Sequence, residues 1–159
     1  MVALVELSNL DLAHRLVRAG MRLSVIGHMT GVGVRTLRAW WKEIHGTRPS
    51  NGKLPDSVLA FIESREDAAK LAAFACFYRA LHGQEFSGDS LLDACEQFRR
   101  VCGSIDINAA YYAVRDVRAR IMRLVRCREC GARYLYDENQ RRHGDRCPFC
   151  GTRPKGELE

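Results

Sequence analysis

Proline is scarce in this chain of 159 residues: only Pro49, Pro55, Pro148 and Pro154 occur, so long stretches are free to be helical. No apolar run approaches the roughly eighteen residues that a membrane-spanning helix needs, which excludes one. The opening MVALVELSNLDLAHR lacks the basic start and apolar core of a signal peptide. The expected compartment is therefore the cytoplasm, where thiols stay reduced. A Gly-x-x-x-x-Gly-Lys loop for nucleotide phosphates is missing. So is any acidic cluster suited to two-metal chemistry, and an enzyme is not expected. No segment repeats, and no alternating strand pattern precedes residue 131.

What is present is a foldable and basic chain. Hydrophobic residues make up 47%, enough for a packed core, and the net charge of +6 fits a polyanionic partner. The charge is segregated: residues 1–50 carry +4, 51–110 carry −3 and 111–159 carry +5. Two basic ends flank an acidic middle, so the ends are expected to face phosphate and the middle to serve the core or a protein partner.

The fold class expected is mainly α, a helical bundle with a small four-cysteine appendage. Helices are expected near 9–19, 23–29, 34–45, 56–63, 66–82, 89–102 and 107–126, with Pro55 in the first turn of the fourth. Ser64 and Asp67 form a capping-box pattern, and Gly83 closes the helix they open. That helix carries Leu71, Phe74, Ala75, Tyr78 and Leu81 on one stripe. Ile107, Tyr111, Val114, Val117, Ile121 and Leu124 make a second. These two amphipathic helices and the acidic middle are expected to offer a surface to a partner chain. Arg115, Arg123 and Arg126 lie off the stripe, as on a solvated face.

Cys127-x2-Cys130, sixteen residues, then Cys147-x2-Cys150 is the spacing of a four-thiolate zinc site. Each Cys-x-x-Cys turn brings two sulfurs to one side, and two turns can face each other around a tetrahedral ion. Gly131 and Gly151 follow the pairs, where the backbone often needs positive φ. Residues 132–136 alternate like a short strand between them. The alternatives are unrelated thiol pairs or a doubled redox motif. Four cysteines without His143 close the metal's shell, so one structural zinc per chain is expected. Residues 127–159 form the metal-binding segment and tail, and 1–126 the helical domain. Cys76, Cys95 and Cys102 are expected to be small core residues.

LSVIGHMTGVGVRTLRAWWKEIHG at 23–46 has helix-turn-helix spacing. Gly27 is the small residue for close approach, and Gly31 lies at the turn. Ile26, Val32, Leu37 and Trp40 face inward. Val34, Arg35, Arg38 and Lys42 are left on the face that would enter a major groove, where arginine can pair with guanine. Helix 9–19, with Arg15 and Arg18, would brace the pair. Arg48 and Lys53 stand in the loop that follows and can grip phosphate, or merely decorate a connector. An ordinary helical hairpin is the alternative.

Four stretches carry a resemblance: RLVRAGMRLSVI; HGTRPSNGKLPDS, with Gly46, Pro49, Gly52, Leu54 and Pro55; AVRDVRARIMRLVRCREC; and CPFC. Over most of residues 9–151 the chain resembles the FlhC family, the C subunit of the flagellar master transcriptional regulator. The resemblance implies a bacterial activator that binds promoter DNA with an FlhD partner in a hetero-oligomer. It also implies zinc on Cys127, Cys130, Cys147 and Cys150. Better-known members carry a longer basic tail, so DNA contacts made by that tail do not carry over. Relatives on mobile elements control conjugative transfer, which leaves the target genes open. Two rivals remain: an adaptor that does not read DNA, and a nucleic-acid enzyme with a zinc ribbon. In the zinc segment, Arg128, Arg133, Arg141, Arg142 and Arg146 would touch DNA or brace the assembly.

Overall fold

The computed structural model of the chain describes residues 3–155. Helices dominate: α1 Leu4–Arg18, α2 Leu23–Thr30, α3 Val34–His45, α4 Arg65–His82, α5 Gly88–Cys102 and α6 Ile107–Arg118. One 3-10 turn, Val58–Phe61, precedes α4, and a hairpin of β1 Arg123–Arg126 and β2 Arg133–Tyr136 follows α6. The hairpin is antiparallel, pairing Arg123 with Tyr136 and Arg126 with Arg133. Among the described residues no helix is long and apolar enough to cross a membrane.

Local chemistry sets most helix starts. Ser64 accepts from the Asp67 N–H while the Asp67 carboxylate accepts from the Ser64 N–H at 3.0 Å, the expected capping box. Ser87 and Ser90 repeat it on α5, and Asp106 caps α6 by accepting from Asn108 and Ala109. The first helix starts five residues earlier than expected, at Leu4, because Glu6 accepts from the Ala3 N–H and caps that end.

Helices α4 and α6 pack together as a septum between two cores. On one side Phe74 and Tyr78 of α4 and Ile107, Ala110 and Val114 of α6 meet α1, α2, α3 and α5. On the other, Leu71, Ala72 and Ala75 of α4 and Ala109, Tyr112 and Ala113 of α6 meet the 3-10 turn and the hairpin. Alanines let both sides approach the septum closely. The apolar stripes expected to await a partner are thus largely consumed inside the chain; Leu81 and Ile121 at their ends stay exposed.

The expected helix 107–126 is two elements, and a strand does precede residue 131. Spacing of three and four continues through Val117, Ile121 and Leu124, but α6 closes at Ala119. Ile121 and Met122 N–H groups both return to the Asp116 carbonyl, at 2.9 and 3.1 Å. The chain then runs extended as β1 and pairs with β2, with Met122 just before it and Val125 within it in the same core as Tyr134 and Leu135. The expected helix 56–63 is only the four-residue 3-10 turn, and Pro55 lies outside it. Asp116 decides this. Wholly buried, it accepts from the Val58 N–H at 2.6 Å and pairs with Arg115, pinning the turn to α6. Arg115 is therefore not a solvated residue; it also donates to the Asp56 carbonyl. Cys76 and Cys95 are half-buried, whereas Cys102, at the last residue of α5, is exposed and is not a core residue.

Candidate metal centre and nucleic-acid interface

The two cysteine turns are built alike. Gly131 N–H donates to the Cys127 carbonyl and Cys127 N–H to the Ala132 carbonyl, at 2.9 and 2.8 Å. Gly151 and Thr152 make the same pair of bonds with Cys147, at 2.8 and 2.9 Å. Gly131 and Gly151 take φ of 75° and 82°, as the turns require. The four sulfurs then converge: all lie within 4.8 Å of one another, with Cys127–Cys150 at 3.5 Å and Cys130–Cys147 at 3.6 Å. Four thiolates held at ~2.3 Å from a tetrahedral ion would stand about 3.8 Å apart. The spacing is far too long for disulfides, which need ~2.05 Å. The cluster can therefore hold a metal ion.

The cradle itself is uneven. Burial pushes the Cys147 thiol up to about 12, while hydrogen bonds from Thr152 draw Cys150 down to about 6. A bound cation would supply the charge that deprotonates all four. The knuckle is moored to the septum: the Arg65 guanidinium at the start of α4 donates to the Pro148 and Phe149 carbonyls. Arg142 donates to the Ile62 carbonyl at 3.1 Å.

At the other end of the chain, α2 and α3 form the expected helix-turn-helix. Gly31 closes α2 at φ 72°, and Thr30 holds the turn by donating to the Ile26 carbonyl and accepting from the Val32 N–H. Ile26 and Leu37 are fully buried; Val32 and Trp40 are half-buried against the same core. A Cβ on Gly27 would lie 3.5 Å from the Val32 carbonyl, so alanine would fit there too. His14 of α1 meets Trp40 edge-on at 5.6 Å, and His45 reaches the Val17 carbonyl at 2.8 Å. These contacts fix α3 to α1.

Val34, Arg35, Arg38 and Lys42 are all exposed on α3. Arg38 and Lys42 share a cleft with Arg48 of the following loop. Lys53 is not part of it; it stands apart and pairs with Asp56 at 3.2 Å.

The family model for "Flagellar transcriptional activator (FlhC)" matches residues 2–157. The chain belongs to the FlhC family. Flagellar transcriptional regulator FlhC of Gallionella capsiferriformans is 26% identical over 153 residues, covering 91% of this chain and 84% of the relative. That of Cupriavidus necator is 25% identical over 92% of this chain and 76% of its own. That of Serratia marcescens is 23% identical over 91% and 79%. This FlhC-family chain is thus kin to transcriptional regulators along nearly its whole length.

Sequence reasoning missed the residues that tie these sites together. Arg22 donates to Ser50 Oγ at 2.7 Å and to the Gly52 and Lys53 carbonyls, folding the 46–57 loop back onto the start of α2. Its own N–H donates to Asn108 on α6 at 2.9 Å. Those partners lie 28 to 86 residues away, so no local signal announces them. The arginines of the four-cysteine segment are largely spent internally. Arg141 pairs with buried Asp137, and Arg146 and Arg153 both pair with Asp145.

Proposed function

We propose that this chain is the DNA-binding subunit of a cytoplasmic activator of flagellar genes, holding one zinc ion and working with an FlhD-like partner in a hetero-oligomer. The observation that carries the reading is the exposed face of α3. Arg35, Arg38 and Lys42 lie there without carboxylate partners among the described residues, and Arg48 closes a cleft beside them. Arg35 and Arg38, early on the helix, would read base edges; Lys42 and Arg48 would grip phosphate. RNA polymerase is the further contact an activator needs.

Zinc suits four thiolates that leave no open position for water, so its work would be structural. The knuckle's arginines, engaged with Asp137, Asp145 and Ile62, favour a brace over a reader. A partner is supported by Leu4, Val5 and Leu7, which project exposed apolar side chains from the first turns of α1.

The test is a competition gel shift of the chain, with and without its partner, on flagellar promoter DNA against scrambled DNA. Equal affinity for both sequences, with the partner present, would overturn the reading and leave the chain an adaptor.

A further inference from the structure

One basic cavity belongs neither to α3 nor to the knuckle. Arg79, from the last turn of α4, and Arg118 and Arg120, at the end of α6, line a cavity of about 330 Å³ together with Gln84. Its apolar wall includes Tyr78 and Val117. No carboxylate lines it, and none of the three arginines has an ion-pair partner among the described residues. Arg118 rests its guanidinium 5.1 Å from the centre of the Phe86 ring, a contact that uses no N–H. Several other arginines near helix ends are neutralised, Arg15 by Asp11 and Asp89, Arg99 and Arg100 by Glu96, whereas, among the described residues, those of the α3 face are not. Here three unneutralised guanidiniums surround one concavity away from the α3 face.

Arg120 adds an independent sign. It sits at φ 57°, in the left-handed region that disfavours every residue with a Cβ. The other five α-helices each reach a glycine of positive φ within two residues of their last turn. The closest parallel is α1. There Ala19 caps the helix and Gly20 and Met21 return N–H groups to Val17 and Leu16, just as Arg120 and Ile121 return theirs to Val117 and Asp116. Glycine serves that backbone in α1, and arginine is strained into it in α6. Charge complementarity to the helix dipole accounts for basic residues in the last turns, such as Arg79 and Arg118. It does not account for Arg120, where glycine would leave the dipole untouched and relieve the backbone. The strained position marks the Arg120 side chain as a candidate for a role that glycine could not fill.

We propose that this cavity binds a small phosphorylated molecule carrying at least two negative charges. Guanidinium forks match phosphate oxygens, and three of them call for more than one charge. The volume sits at the lower end of the roughly 300–1,000 Å³ of small-ligand pockets, too small for a folded peptide or a duplex. The site is distinct from the DNA-facing helix. It lies about 15 Å along α6 from Asn108, the residue that touches Arg22 beside α2.

The test uses the full zinc-loaded chain in complex with its partner, titrated calorimetrically with inorganic pyrophosphate at fixed salt, with citrate as a carboxylate polyanion. Saturable binding of one pyrophosphate per chain is expected, with citrate at least about tenfold weaker. Arg120→Gly is expected to lose about tenfold or more in affinity while raising Tm by roughly 2–4 °C, since it releases the backbone. Arg79→Ala is expected to lose affinity without that gain. Absence of saturable binding would overturn the proposal, as would citrate binding equally well. Wild-type affinity in both variants would place the anion in the Arg38–Lys42–Arg48 cleft instead. A lower Tm for Arg120→Gly would make Arg120 structural. If both variants lose promoter affinity by the same factor without added anion, the cavity is a DNA-backbone contact and the proposal fails.

Discussion

Arg35 and Lys42 are both exposed cations on α3, yet they are expected to do different work. A residue in the first turn reaches base edges, whereas one two turns later reaches the backbone. Arg35→Ala or Arg38→Ala should cost about 1–3 kcal/mol on the cognate site and erode the preference over scrambled DNA. Lys42→Ala and Arg48→Ala, from one cleft, should weaken both DNAs alike and each flatten the log–log salt slope by about one. Competition titrations at several salt concentrations separate the two behaviours. Asp116 presents a structural counterpart. It is the acceptor for the buried Val58 N–H and the partner of Arg115. Asp116→Ala leaves that N–H unsatisfied and should cost roughly 1–3 kcal/mol, read as a lower denaturant midpoint.

The cysteine knuckle depends on α4 as much as on its own turns. Arg65 holds the Pro148 and Phe149 carbonyls, immediately beside two ligands. Groups that orient a metal's ligands typically carry about 10–100-fold in affinity. Arg65→Ala should therefore speed metal transfer to a chromophoric chelator by about that factor while leaving the helical content unchanged. A rate equal to wild type would show that the knuckle stands without its mooring. The hairpin shares the dependence from the other side. Both faces of the hairpin are drawn in: Val125, Tyr134 and Leu135 belong to the same core as Cys127 and Cys147.

For the whole chain, metal and fold are expected to be coupled. Metal analysis of protein purified without chelator should give one zinc per chain. Stripping it should expose residues 123–155 to hydrogen exchange while α1–α3 stay protected, because the knuckle and the helix-turn-helix belong to different cores. A second expectation concerns the assembled complex on DNA. Six or more phosphate contacts would give a log–log salt slope of roughly −5. A slope near zero would exclude a DNA-dominated role for the basic ends.

Whatever rests on short-range geometry was legible in the residues alone. The Cys-x-x-Cys pairs, the capping box at Ser64 and the Gly31 turn all act within a few residues, and each stands where the pattern put it. What depends on distant partners emerged only from packing. Spacing through Ile121 and Leu124 fits a helix, but pairing with β2 brought Val125 into the core beside Tyr134, and the chain became a strand. The stripes of α4 and α6 look like one face each, yet two cores claimed both sides of the pair. The roles of the arginines were least legible. All carry the same charge, and only the fold brings Asp116, Asp137 or Asp145 to some while leaving Arg35, Arg38, Arg79 and Arg120 without an acid to neutralise them among the described residues.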